Sequence, residues 1–222
     1  MTVPIYGDRK VWLEESQPFE IEWWRSIWAA NKKRDQEFIG VVKSFGLNED
    51  SFAGQTVIDV GAGPRSWPSL VLKDAHIHII EPLADKFCLF NEGYYNLPNI
   101  ASVHAVPGEE LIDPFQHVKF TSQSLTNIPR LLVGEADMVW CFNCLNHCYE
   151  WRKVLDNIQA YMKVGAVCYV RIKTGETPHA GHVGVNFEEL AAYLGNSRLR
   201  PKDLKRHKDK GEGFVEGSLV LV

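Results

Sequence analysis

Val57-Ile58-Asp59-Val60-Gly61-Ala62-Gly63-Pro64 is the stretch that decides the fold of this chain. Thr56 to Val60 is a β-branched run that reads as a buried strand, and it breaks into a turn with two glycines. Glycine lets the backbone adopt left-handed conformations and approach a ligand with no Cβ in the way. A helix is expected after this turn, with free N–H groups and the positive end of a dipole facing the ligand. The spacing Gly-x-Gly-Pro lacks the third glycine of the dinucleotide fingerprint. Pro64 also removes an N–H from where a pyrophosphate would need one, so a ligand without phosphate is expected.

Working outward, His76 to Ile80 is a second strand, and Glu81 ends it, 20 residues after Gly61. An acidic side chain there is placed to hold both hydroxyls of a ribose. The plainer alternative is that Glu81 only caps the helix expected over Leu83 to Tyr95. Ala101 to Val106 and Met138 to Phe142 read as further strands. Trp151, Val154, Leu155, Ile158, Tyr161 and Met162 recur at helical spacing. Lys163-Val164-Gly165 is expected to close that helix before a strand from Ala166 to Ile172. Asn186 and Glu189 form a capping box opening Phe187 to Leu194, with Gly195 just past the end, and Gly217 to Val222 is a last strand. Such alternation predicts an α/β fold: a doubly wound, mainly parallel sheet of about seven strands with helices on both faces. Residues 18–46, rich in aromatics, read as one or two amphipathic helices. The division expected is an N-terminal helical cap over 1–50 and the α/β domain over 51–222.

The chain has 222 residues, 45% hydrophobic and 23% charged, as in ordinary globular proteins. A net charge of −4 supplies no global attraction to nucleic acid or anionic membrane. No apolar run is long enough to span a bilayer and Met1 to Lys10 has no signal-peptide core. The five cysteines do not form a secreted disulfide framework, so a cytoplasmic setting is expected.

With these residues in place, the sequence resembles the class I S-adenosylmethionine-dependent methyltransferases, which are Rossmann-like. Asp59-Val60-Gly61-Ala62-Gly63-Pro64 resembles their first glycine motif and Glu81 their ribose-binding acid. Glu81-Pro82-Leu83-Ala84 and Asn143-Cys144-Leu145-Asn146-His147 resemble the bacterial small-molecule and sugar methyltransferase branch, although Asn146 stands where that branch has Asp. His179 to Phe187 resembles a His-containing segment of the same branch that ends in Asn-Phe. The resemblance covers roughly residues 54–195. It implies S-adenosylmethionine as cofactor, with Asp59, Gly61, Ala62, Gly63 and Pro64 on its methionine and ribose side. Glu81, with Pro82 and Leu83, would hold the ribose, and Asn143 and Cys144 would pass beneath the sulfonium. The adenine would meet Glu109 or Glu110, or alternatively Ser122-Gln123-Ser124, and Phe115 to Thr126 has room for an extra strand. The activity implied is O- or N-methylation of a small-molecule or sugar-like acceptor, in a monomer or a dimer. A nucleic-acid methyltransferase is the alternative enzyme. Against it, no Asn/Asp-Pro-Pro-aromatic segment or Pro-Cys nucleophile follows the fourth strand. A non-catalytic S-adenosylmethionine binder is the third reading.

His147 follows the fourth strand closely, and a neutral imidazole there suits proton removal from an attacking oxygen or nitrogen. His179 and His182, on a loop after the fifth strand, are the other candidate bases, and a structural histidine is the alternative for each. Cys141, Cys144, His147 and Cys148 invite a zinc site. Strand alternation should turn Cys141 away from its neighbours, and buried thiols are common packing groups, so no metal is expected. Trp23, Trp24 and Trp28 read most simply as a core-facing helix stripe, one of them reaching the substrate pocket. Seven Lys or Arg against two Asp between Arg198 and Lys210 fit a solvated β-hairpin edge, or else a phosphorylated substrate.

Overall fold

The β-branched run after Gln55 forms the central strand of the sheet, and the rest of the fold is arranged about it. The structure, a computed structural model, describes residues 9–28, 34–87, 97–105, 133–174, 184–209 and 212–222. In chain order, α1 (Arg9–Val11), a π-helical turn (Trp12–Ser16), α2 (Gln17–Trp28) and α3 (Arg34–Ser44) precede β1 (Thr56–Val60). A 3-10 turn (Pro68–Leu70), β2 (His76–Ile80), α4 (Ala84–Phe87), β3 (Ile100–His104) and β4 (Ala136–Phe142) follow. Next come a 3-10 turn (Leu145–His147), α5 (Trp151–Tyr161), β5 (Met162–Thr174), α6 (Phe187–Asn196), β6 (Leu199–Pro201), β7 (Lys205–Asp209) and β8 (Glu212–Leu221).

The sheet has eight strands in the order β3-β2-β1-β4-β5-β8-β6, with β7 also paired to β8. β1 runs parallel to β2 and β4, β2 to β3, and β4 to β5, whereas β8 is antiparallel to β5, β6 and β7. This is the expected doubly wound α/β architecture, and the described residues hold eight strands where about seven were expected. Of these, β6 and β7 were not among the strands read singly, and β7 with β8 forms the hairpin edge expected of the basic segment.

Side-chain alternation along β4 shows how the sheet is buried. Met138, Trp140 and Phe142 pack on one face with α3 residue Val42, and Val139 and Cys141 on the other with Val154, Leu155 and Ile158 of α5. Phe45, just beyond α3, meets Trp140, Phe142 and Tyr169 edge-on. One face of α3 and Phe45 therefore pack on the sheet.

Three local expectations need correction. No α-helix follows Gly63. The chain makes turns and one 3-10 turn, because Pro64 and Pro68 each lack an N–H and Trp67 is held by stacking on Phe38, 4.3 Å between ring centres. Lys163-Val164-Gly165 does not separate α5 from β5. Ala136 pairs Met162 and Met138 pairs Val167, so these residues bulge out within β5, held by a 2.7 Å Lys163 Nζ–Asp137 Oδ1 ion pair. Gly195 lies inside α6, and Ser197 takes the C-cap. The helix predicted over Leu83 to Tyr95 is described only as Ala84–Phe87, residues 88–96 lying outside the described part, as do Val106 and Phe115 to Thr126.

Asn186 caps α6 by accepting hydrogen bonds from the Glu188 and Glu189 amides at 2.8 and 3.1 Å. The Glu189 carboxylate is turned to Arg152 and does not close the box. Asn186→Ala should lower stability by about 1 kcal/mol, seen as a lower urea midpoint at unchanged m-value. Among the described residues no helix is long and apolar enough to cross a membrane.

Candidate functional site

Strand order reverses between β1 and β4, and their carboxyl ends open the crevice where sheets of this kind bind ligands. Both strands end in left-handed backbone: φ is +70° at Gly61, +61° at Gly63 and +51° at Asn143. Asparagine is among the few non-glycine residues that tolerate this region. The Gly61 amide donates to the Ile80 carbonyl and the Asn143 amide to the Arg171 carbonyl, each at 2.8 Å, which ties each loop to the neighbouring strand. A Cβ on Gly61 would stand 2.4 Å from Cys144 Sγ, so glycine is what lets the β1 and β4 loops interlock. A Cβ on Gly63 would come within 3.3 Å of the Trp24 ring.

Glu81 is buried at the end of β2. Its Oε2 accepts the Gly63 amide at 2.8 Å and its Oε1 the Leu83 amide at 2.9 Å. The carboxylate thus braces the glycine turn and also caps the turn into α4. A carboxylate has about four lone-pair sites, so each oxygen keeps acceptor capacity. Burial pushes the Glu81 carboxyl up to about 7, against the pull of the two amides. Asp59 lies beneath the turn, and burial pushes its carboxyl up to about 8 despite the Ser66 hydroxyl beside it. At neutral pH Asp59 is therefore protonated and adds little negative charge next to Glu81.

Across the crevice, His147 ends the 3-10 turn after β4. Its Nδ1 is 2.8 Å from Glu20 Oε1 of α2, and its carbonyl accepts the Trp12 Nε1–H at 2.7 Å. Trp12 also packs against Tyr149 at 5.2 Å between ring centres. The first helices therefore grip His147 at both ring and backbone.

Together these groups line one cavity of about 450 Å³. Gly61, Ala62, Gly63, Glu81, Pro82 and Leu83 form one side, and Asn143, Cys144 and His147 another. The Cys144 carbonyl, expected beneath the ligand, already accepts the His147 amide at 2.9 Å. Asp59 and Pro64 are not on the cavity wall. Glu109, Glu110, Ser122, Gln123, Ser124, His179 and His182 lie outside the described residues.

Sequence reasoning missed Trp12, Phe19, Glu20, Phe38, Trp67 and Lys173, all of which line the cavity. A signal existed for Glu20: it shares the helical face of Ser16, Trp23 and Trp24, a single carboxylate in an aromatic stripe. That stripe is not the core-facing one expected. Trp23 is 41% exposed, and Trp23 and Trp24 face the cavity. Strand alternation also fails to separate the thiols, because the short turn after β4 folds back. Cys141, Cys144, Cys148 and Cys168 share one buried cluster, with Cys144 and Cys148 sulfurs 3.6 Å apart. Among the described residues no three His, Cys, Asp or Glu side chains are grouped to hold a metal.

No family model matches the sequence, and no curated protein matches it. Solved structures do match. The 1,6-didemethyltoxoflavin-N1-methyltransferase of Burkholderia thailandensis, solved with 1,6-didemethyltoxoflavin and S-adenosylhomocysteine, aligns at TM-score 0.62 and 14% identity. That alignment covers 100% of this chain and 92% of the other. A SAM-dependent methyltransferase from Aquifex aeolicus aligns at 0.57 and 18% identity, covering 89% of this chain and 98% of the other. The [4+2]-cyclase SpnF aligns at 0.58 and 13% identity over 84% of this chain and 80% of its own. The chain therefore has the fold of the class I S-adenosylmethionine-dependent methyltransferases.

Proposed function

We propose that this chain is an S-adenosylmethionine-dependent methyltransferase that methylates an oxygen or nitrogen of a small-molecule acceptor. The observation that carries this reading is the presence, in one cavity, of a glycine turn braced by Glu81 and of the His147–Glu20 pair.

The residues present fit the cofactor. The cavity volume lies within the usual range for small-molecule sites, roughly 300–1,000 Å³. At Gly61 and Gly63 the turn lines the cavity with backbone, and the spare lone pairs of Glu81 suit two ribose hydroxyls. The phosphate-free site read from Pro64 agrees with the missing helix N-terminus, and the Gly63 amide is already taken up by Glu81. When bound, the cofactor supplies an electrophilic methyl group on a sulfonium.

The chain's own part is alignment and proton removal. Glu81 and the glycine turn hold the donor side, while the helices before residue 29 form the opposite wall and limit water. His147 takes a proton from the acceptor, and the Glu20 carboxylate 2.8 Å from Nδ1 stabilises the positive ring that results. Glu20 acts as a positioning residue through its charge beside the ring. A neighbour of the same fold is a [4+2]-cyclase, so the reaction is argued from the site and not from the fold. In titration calorimetry, S-adenosylmethionine and S-adenosylhomocysteine should bind in the micromolar range, about −8 kcal/mol, and NAD should not bind. Consumption of the cofactor with an acceptor then separates an enzyme from a binder. Tight NAD binding with neither sulfur ligand bound would overturn the proposal.

A further inference from the structure

The aromatic residues of the cavity have a chemistry of their own. Phe19 and Trp23 of α2 are 43% and 41% exposed, although large aromatics are usually covered. Trp23 meets Trp24 edge-on, with ring centres 4.8 Å apart, and both line the cavity that holds His147 and Glu20. The cavity wall carries both signs of charge: Glu20 and Glu81 against Arg34 and Lys173. An ammonium caged by the tryptophans would gain from the acids but lose to the two bases. A neutral, flat ring gains from the aromatic faces without that conflict.

Resting on the methyltransferase reading, we propose that the acceptor is a planar aromatic compound bearing an acidic O–H or N–H. Its ring packs on Phe19 and Trp23, and its O–H or N–H faces His147. The acceptor heteroatom forms the new bond to the methyl carbon as the sulfur–methyl bond breaks, and that electron pair stays on sulfur as a neutral thioether. The acceptor's proton passes to the His147 ring, the ionised Glu20 2.8 Å from Nδ1 offsets the charge, and the proton then leaves to water. Such a substrate suits this pair, because an aromatic hydroxyl or ring N–H gives up its proton far more readily than an aliphatic one.

The test compares 2-naphthol with decahydro-2-naphthol, its saturated counterpart, and with cyclohexylamine. Binding is read by tryptophan fluorescence and calorimetry, on the full chain with and without saturating S-adenosylhomocysteine. The expected result is at least ten-fold tighter binding of 2-naphthol than of either saturated compound. Trp23→Ala should weaken 2-naphthol at least ten-fold, Trp23→Phe should restore most of it, and both should leave S-adenosylhomocysteine affinity within two-fold. Equal or tighter binding of decahydro-2-naphthol or cyclohexylamine, or no binding of 2-naphthol, overturns the proposal. Failure of S-adenosylhomocysteine to bind is a separate result, counting against the methyltransferase reading, and the comparison on the unliganded protein then decides the acceptor class alone.

Discussion

If His147 is the base proposed above, His147→Ala should lower the rate of methyl transfer by about 10²–10⁴, with cofactor affinity close to that of the parent. An effect of that size would follow from losing the group that takes the proton as the new bond forms. At saturating cofactor the acid limb of the pH–rate profile disappears as well, because only the neutral imidazole accepts a proton. Glu20→Gln keeps the side chain's shape but removes the charge facing Nδ1. It should lower kcat by about ten-fold with little change in KM and move the same limb of the pH profile, which a purely structural glutamate would leave in place. His179→Ala and His182→Ala serve as comparisons. If either abolishes turnover while His147→Ala does not, the base is on the loop after β5. A loss of cofactor binding or of thermal stability together with rate in His147→Ala would mean that the residue only shapes the turn held by Trp12.

The second large effect is on cofactor affinity and pH. Burial holds the Glu81 carboxyl up to about 7 in the unliganded protein. Both of its oxygens face amide donors and, in the proposed complex, ribose hydroxyls, so the ionised form is the one that binds. Affinity for S-adenosylhomocysteine should therefore be level above pH 7 and fall by roughly ten-fold per unit below it, near 100-fold by pH 5. Binding at pH 6 should take up no proton and release close to one. For the fold itself the sign is reversed. A carboxyl that holds its proton more tightly folded than unfolded stabilises the unliganded protein below its ordinary value of 4.5, and this contribution is lost as pH rises through about 7. Glu81→Gln should flatten the pH dependence of binding. Glu81→Ala should weaken binding by about 1.5–3 kcal/mol, as it also leaves the Gly63 and Leu83 amides without their acceptor. Calorimetry in buffers of different ionisation enthalpy reads both the affinity and the proton count. A flat profile from pH 5 to 8 would remove Glu81 from the ribose.

Much of the architecture could be read locally. β1 and β2 begin and end where their β-branched runs do, and Asn186 opens α6 through its own side chain. These features depend on neighbours within a few residues, and periodicity and capping report such neighbours directly. The glycine turn and Glu81 were legible for the same reason: a strand end, its turn and the acid on the next strand are close in sequence. The helix expected after Gly63 was misread because the general pattern outweighed two particular residues, Pro64 and Pro68, that work against it. The division of β5 at Lys163 was misread because an ion pair from β4 keeps the bulge within the strand.

What the sequence by itself determined is the alternation of strands and helices, hence the doubly wound sheet, and the crevice above β1 and β4. Each of these follows from the period of hydrophobic burial and from backbone that only glycine or asparagine readily adopts. Only the tertiary structure decided that Glu20 and Trp12 belong to the same site as His147, over a hundred residues away in the chain. It also decided that Trp23 faces a cavity while Phe45 faces the core. Both lie on aromatic-rich stretches with the same local pattern. Which face meets the sheet and which meets the crevice depends on where the whole helix docks, and that is set by contacts that leave no mark on sequence spacing.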